Sequence, residues 1–375
     1  MAEKIRHIQR NEWDSFMRFL ETSYGQASGS FLSRHPDLYH PDEACLDYFY
    51  VIEDKGKIVS HVGLFPLNAV ANGVRITLGG IGSVATLPEE RGKGYMGKLL
   101  SHVITRMQKL DMPLSVLWGN RQRYGNFGWE IAGEKIVLNF SKLSMTKAGI
   151  QPALSIQEVD PQRAAAKVGL LYVNQRFRIE RGKGLQRILC RSGNRVWIGD
   201  DGYLCGERAG DKLLVNEVVS LSSKETSFIM AVMERCFIKQ AEITVCSQDN
   251  GYLDRLIKPA HGWCFQPEGE FRINNCFKLL KIFKSMLEER ACALKIRHFS
   301  LSLGLRFNNK VDIATVRYKS GAMSISKRRT DPYIELDERE GVRLFIGGPF
   351  PGKERLGAFG ALLPLPIHIP KLDTV

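Results

Sequence analysis

VATLPEERGKGYMG, residues Val84 to Gly97, is the stretch on which the fold turns. It closes an apolar, β-branched run (VRITLGGIGSVATL, 74–87), stops at Pro88, and passes through Arg91-Gly92-Lys93-Gly94 into a segment of different period. Met96, Leu99, Leu100, Val103, Ile104 and Met107 recur at i, i+3, i+4, i+7, i+8 and i+11, the spacing of an amphipathic helix. A strand leading through a glycine loop into a helix start carries a chemical implication. Glycine at 92 and 94 lets backbone N–H groups converge, and the helix start adds partial positive charge, so a pyrophosphate fits there. Arg91 and Lys93 are expected at its rim. The same four letters recur at Arg181 to Gly184 without a buried strand or a proline ahead of them, and that copy reads as an exposed loop.

Outward from this stretch the chain is regular. Upstream, a short opening strand precedes a helical stripe at Trp13, Phe16, Met17, Phe19 and Leu20. LDYFYVIED, KIVSHVGLFPLNAV and VRITLGGIGSVATL then read as three strands joined by tight turns. Downstream, LSVLWG (114–119) is a short buried strand. NRVWIGDDGYLCGERAGDKLLVNEVVS reads as three further strands, followed by a helix at 226–238 and a strand at 241–246, which repeats the earlier order. A third unit opens with FKLLKIFKSMLEER and continues into LSLGLRF, DIATVRY, AMSISK and YIELD.

Composition narrows the class without naming it. The chain has 375 residues, 44% hydrophobic and 25% charged, enough for two or three ordinary globular domains and unlike collagenous, disordered or membrane-embedded sequences. No apolar run of membrane-spanning length or signal-peptide type is present, so a cytoplasmic protein without membrane contact is expected. Eight cysteines stand singly, with no CxxC and no paired histidines, and no metal is predicted. The net charge of +13 is concentrated at 277–330, where 13 Lys and Arg face Glu288, Glu289 and Asp312. Few aromatics and no nucleic-acid motif accompany that tract. It reads as a solvated face or an interface, and no nucleic-acid partner is expected.

About 30 residues past the glycine loop comes RYGNFGWE (123–130), with Tyr124 four residues before Gly128-Trp129. Pro-x-x-Arg-x-x-Gly opening a helix, followed by Tyr-x-x-x-Gly-aromatic, resembles the GNAT acetyltransferases. YGNFGW, the second unit and the third unit together resemble the Eis-like branch. That resemblance implies an α/β (α+β) fold of tandem GNAT-like mixed sheets flanked by helices, with a C-terminal sterol-carrier-like α+β domain. The units would be a catalytic GNAT acetyl-CoA-binding domain at 1–150, a degenerate GNAT-like domain at 151–275 and the sterol-carrier-like domain with its tail at 276–375.

The resemblance also implies site residues. Backbone at Val84, Ala85 and Thr86 would pair with the pantetheine arm, and Arg91, Gly92, Lys93, Gly94, Tyr95, Met96 and Gly97 would surround the pyrophosphate. Gly119 and Asn120 would lie beside the thioester. Met96 departs from the small residue common there and marks the subfamily. Tyr124 is the implied acid for the leaving thiolate, and the carboxylate of Val375 would orient an amine. Partners would be acetyl-CoA and an amine, in a homo-oligomer. The second unit has no Arg-x-x-Gly and should bind no coenzyme A. A rival reading is a non-catalytic carrier of an apolar ligand or a sensor of coenzyme A. Intact Arg91, Gly94 and Tyr124 argue against it.

Overall fold

The computed structural model describes residues 3–307 and 310–375. Three sheets organise the chain. The first runs in the order Lys4–His7, Phe49–Asp54, Lys57–Ala71, Val74–Thr86, Leu114–Leu117, Gly269–Ile273, Glu130–Ala132, with Phe177–Ile179 paired to Lys57–Ala71. The second contains Gly262–Gln266, Lys135–Ser141, Gln240–Cys246, Lys212–Ser220, Gly202–Ala209, Arg195–Ile198 and Gln157–Val159. The third has four strands, Ala322–Ser326, Lys310–Lys319, His298–Phe307 and Tyr333–Asp337. This is the mixed α/β architecture that the resemblance implied.

The sheets exchange strands. Lys135–Ser141 pairs with Gln240–Cys246 in the second sheet, so the chain crosses between units just past Ala132, ahead of the expected boundary at 150. It returns at Gly269–Ile273, which is antiparallel to Leu114–Leu117 on one side and to Glu130–Ala132 on the other. Pairing partners that lie some 150 residues apart leave no local signal.

Helix Tyr95–Lys109 covers one face of the first sheet, with Leu99, Leu100, Val103 and Met107 fully buried against Val62, Leu64 and Ile81. The third unit covers the other face: Leu67, Leu78, Leu114 and Val116 share one core with Leu279, Leu303, Phe345 and Leu365. The run FKLLKIFKSMLEER that opens this unit lies in two helices, Cys276–Ile282 and Lys284–Ala293. Phe283 between them leaves helical geometry (φ −91°, ψ 9°) and is fully buried, so the break lets both halves reach the core. Among the described residues no helix is long and apolar enough to cross a membrane.

Candidate active site

Strand Val74–Thr86 is paired along one edge with Lys57–Ala71 as far as Ser60 opposite Thr86. Along the other edge it runs parallel to Leu114–Leu117, but only over Leu78, Gly79 and Gly80. From Ile81 onward the two strands part, and the backbone from Ile81 to Thr86 borders a wedge. The register also slips between His61 and Gly63, where Ser83 takes a left-handed φ of 46°. A buried chain of hydrogen bonds holds this bulge. His61 Nδ1 lies 3.0 Å from the Tyr50 carbonyl, which can only accept, so Nδ1 carries the proton and Nε2 accepts from the Ser83 hydroxyl at 3.0 Å. Burial keeps the ring neutral, its pKa pushed down to about 3. As a single histidine in an apolar strand, His61 gave no sequence signal.

Beyond the strand, Gly92 and Gly94 both adopt left-handed φ (83° and 80°), and a Cβ built on either would meet no atom within 4 Å. The N–H groups of Gly92 to Gly97 donate to nothing among the described residues, whereas Arg91 N reaches the Pro88 carbonyl and Lys98 N the Gly94 carbonyl. Six successive donors therefore surround the helix start. The two cations expected at the rim are otherwise engaged: Arg91 donates to the Thr86 and Ser23 carbonyls at 3.4 and 3.2 Å, and Lys93 pairs with Glu90 at 2.7 Å. The backbone is the open donor set. Tyr95 is buried with its hydroxyl 3.4 Å from Asp54, Met96 packs into the core beneath the helix, and Gly97 lies under the Phe127 ring. Val84 accepts a hydrogen bond from the Tyr24 hydroxyl at 3.0 Å, and buried Ala85 accepts one from Ser60 at 2.9 Å.

The far wall comes from the segment after Leu114–Leu117. Asn120 caps the short helix Arg121–Tyr124, its side chain accepting from Arg123 N at 3.1 Å. Tyr124 is 7% exposed, and its ring lies directly on Gly119: a Cβ there would sit 2.4 Å from the ring. Trp129 meets it edge-on at 6.5 Å. Burial raises the Tyr124 pKa, Arg123 opposes this and Glu270 adds to it, so the phenol holds its proton at neutral pH. Tyr24 is pushed up to about 12, by burial first and then by the nearby Tyr124.

One carboxylate near Tyr124 is committed to ion pairs. Glu130 is 1% exposed and pairs with Arg121, Arg339 and Arg343. Burial alone would raise its pKa, yet the hydrogen bonds from Arg121 and Arg339 outweigh burial and hold it at about 2. Glu130 is therefore an anchor for the third unit, not a base.

The tail is buried, and the second Arg-Gly-Lys-Gly is part of the reason. Leu365, Ile367, Ile369 and Leu372 alternate into the core, and Asp373 is 4% exposed. The reading of Arg181 to Gly184 as an exposed loop is wrong at its first residue. Arg181 is buried, forks onto Asp373 at 2.8 Å and Glu217 at 2.6 Å, and stacks on Tyr172 at 3.8 Å. Arg191 pairs with Asp37 and donates to the Thr374 carbonyl at 3.3 Å. These grips lay Val375 against the wedge strand. A Cβ on Gly82 would lie 3.2 Å from the main-chain carbonyl carbon of Val375, and one on Gly80 would lie 2.8 Å from its methyl. A cavity of about 200 Å³ opens there, walled by Leu38, Tyr48, Phe65, Leu67 and Ile188.

The family model for the acetyltransferase (GNAT) domain matches residues 4–132. No curated protein matches the chain in sequence. Among solved structures, it is similar to a GCN5-related N-acetyltransferase from Anabaena variabilis (19% identity, TM-score 0.76, all of both chains covered). It is also similar to a probable N-acyltransferase from Enterococcus faecalis (17%, 0.71, covering 96% of this chain and 95% of that one). Eis1 from Mycobacterium abscessus (13%, 0.65, 95% and 92%) shares the fold as well.

Proposed function

We propose, from the premise that residues 4–132 are a GNAT acetyltransferase domain and the chain an N-acyltransferase, that it transfers an acetyl group from acetyl-CoA directly to a primary amine of a small molecule or peptide. The observation that carries this is one wedge bordered by a bulged strand, a run of six open N–H groups and a buried, protonated phenol. Open N–H groups from Gly92 to Gly97 suit a pyrophosphate, and the two left-handed glycines keep side chains out of its way. Val84, Ala85 and Thr86 present backbone to the pantetheine arm. The carbonyls of Val84 and Thr86 are already taken by Tyr24 and Arg91, so ligand entry would exchange these hydrogen bonds.

Tyr124 then supplies the proton that the departing thiolate needs. Proton transfer from an ordinary phenol of pKa ~10 to the thiolate of a thiol of ~8.5 is uphill by roughly 2 kcal/mol, and by more for a phenol raised by burial, a cost met when the transfer accompanies cleavage of the C–S bond. Gly119 and Asn120, which shape the turn under Tyr124, would lie beside the thioester. The amine would enter from the cavity at Val375, whose main-chain end lies at the bulge and would orient it. Deprotonating an alkylammonium at pH 7 costs about 4 kcal/mol, so orientation toward a negative or polar group lowers part of the barrier. Release of free thiol from acetyl-CoA across a panel of amines, antibiotics and peptides tests the proposal. Amine-dependent release is expected, and no release with any amine would refute it.

A further inference from the structure

Strand Gly269–Ile273 enters the first sheet from a distant part of the chain and lies buried between two neighbours. Such a position ordinarily takes Val, Ile or Leu. Instead it carries Glu270 and Arg272, 4% and 5% exposed, two residues apart and so on one face. Burying charge is costly unless each group has a task. Glu270 Oε1 accepts from the Gly119 N–H at 3.2 Å, while Oε2 is buried without a partner among the described residues. Arg272 Nε donates to the Phe127 carbonyl at 2.8 Å, and its guanidinium also reaches Asn274 and the field of Glu338. Gly119 and Phe127 bracket the segment that carries Tyr124. With no side chain on Gly119 to intervene, any shift of its backbone is passed to the Tyr124 ring.

We propose that Glu270 and Arg272 are positioning residues for Tyr124, Glu270 acting through the Gly119 N–H and Arg272 through the Phe127 carbonyl. The inserted strand then serves as a two-point clamp on the loop that holds the acid, and the clamp rests on the reading of Tyr124 as proton donor. Misplacing a reacting group by about 1 Å can cost as much as 10²-fold in rate, so the effect belongs in kcat and not in donor binding.

The test is a double-mutant cycle on the full chain. Glu270→Leu removes the acceptor and should lower kcat about tenfold or more, with the affinity for acetyl-CoA held within about twofold. Glu270→Gln keeps an oxygen for Gly119 and should restore kcat to within about threefold of the parent. In a Tyr124→Phe background Glu270→Leu should cost nothing further, because the group it positions is gone. If Glu270→Leu fails to fold, Arg272→Met takes its place in the same cycle through the other grip. Unchanged kcat in the folded variants, or losses that add fully to that of Tyr124→Phe, would overturn the clamp. Full activity of Tyr124→Phe alone would instead overturn the acid assignment, and the clamp with it.

Discussion

The two tandem units reach the same point by different loops. In the first, strand Val74–Thr86 hands over to helix Tyr95–Lys109 through eight residues with left-handed glycines, and the N–H groups of Gly92 to Gly94 in that loop are unbonded among the described residues. In the second, strand Lys212–Ser220 hands over to helix Glu225–Arg235 through four residues, with Ser223 in the left-handed region and no glycine. There the Asp201 carboxylate accepts from Ser222 N at 3.2 Å and from the Ser220 and Ser222 hydroxyls, and Ser220 Oγ accepts from Lys224 N at 3.1 Å. The four loop N–H groups from Leu221 to Lys224 are thus all bonded within the unit, where those of Gly92 to Gly94 in the first are not. Glu225 at that helix start is itself buried in an ion pair with Arg255. The strand-to-helix turn leaves its loop donors open in one unit and bonds them internally in the other, which is the difference that the proposed donor site rests on.

The largest effect is expected at Tyr124, the proposed acid beside the open loop. Tyr124→Phe keeps the ring on Gly119 and removes the proton, so kcat should fall by roughly 10² with acetyl-CoA affinity nearly kept. Steady-state turnover within about threefold of the parent would assign the proton to another donor. A smaller loss is expected at the tail. Deleting Thr374 and Val375 while sparing Asp373 keeps the Arg181 ion pairs, and kcat should fall about tenfold as the amine loses its guide. Circular dichroism should report an intact fold; a fully active truncated protein would remove Val375 from the site.

A pH scan sharpens the comparison from the side of stability. Glu130 has a folded pKa of about 2, below its unfolded value, so the stability it lends is complete above roughly pH 5 and is lost as the pH falls toward 2. Melting temperature should decline over that window, and Glu130→Gln should flatten part of the decline. An identical profile in the variant would mean that the Arg121, Arg339 and Arg343 cluster contributes no proton-linked stability.

Legibility followed sequence distance. From 78 to 130 the strand, loop, helix, strand and tyrosine lie in order along the chain, so their spacing pointed to the glycine loop at 92 and 94 and, with the family resemblance, to Tyr124. What escaped was held by partners from elsewhere. Glu270 and Arg272 lie in a short segment whose neighbours are 114–117 and 130–132, and nothing in GEFRI announces a strand inserted between them. Arg181 looked like half of a glycine loop because its letters match Arg91, while its role is set by Glu217 and Asp373. Arg91 and Lys93 are where the motif put them, and they meet nearby backbone and Glu90 there.

The central claim is that one of the two loops, and not both, takes the donor. Calorimetric titration of acetyl-CoA into the full chain and into Gly94→Val measures it directly. The account predicts one site per chain, weakened at least about tenfold by Gly94→Val, where a β-branched side chain meets a left-handed φ of 80° at the open donors, and unaffected by Gly184→Val. Two sites per chain, or unchanged affinity in a folded Gly94→Val protein, would contradict it.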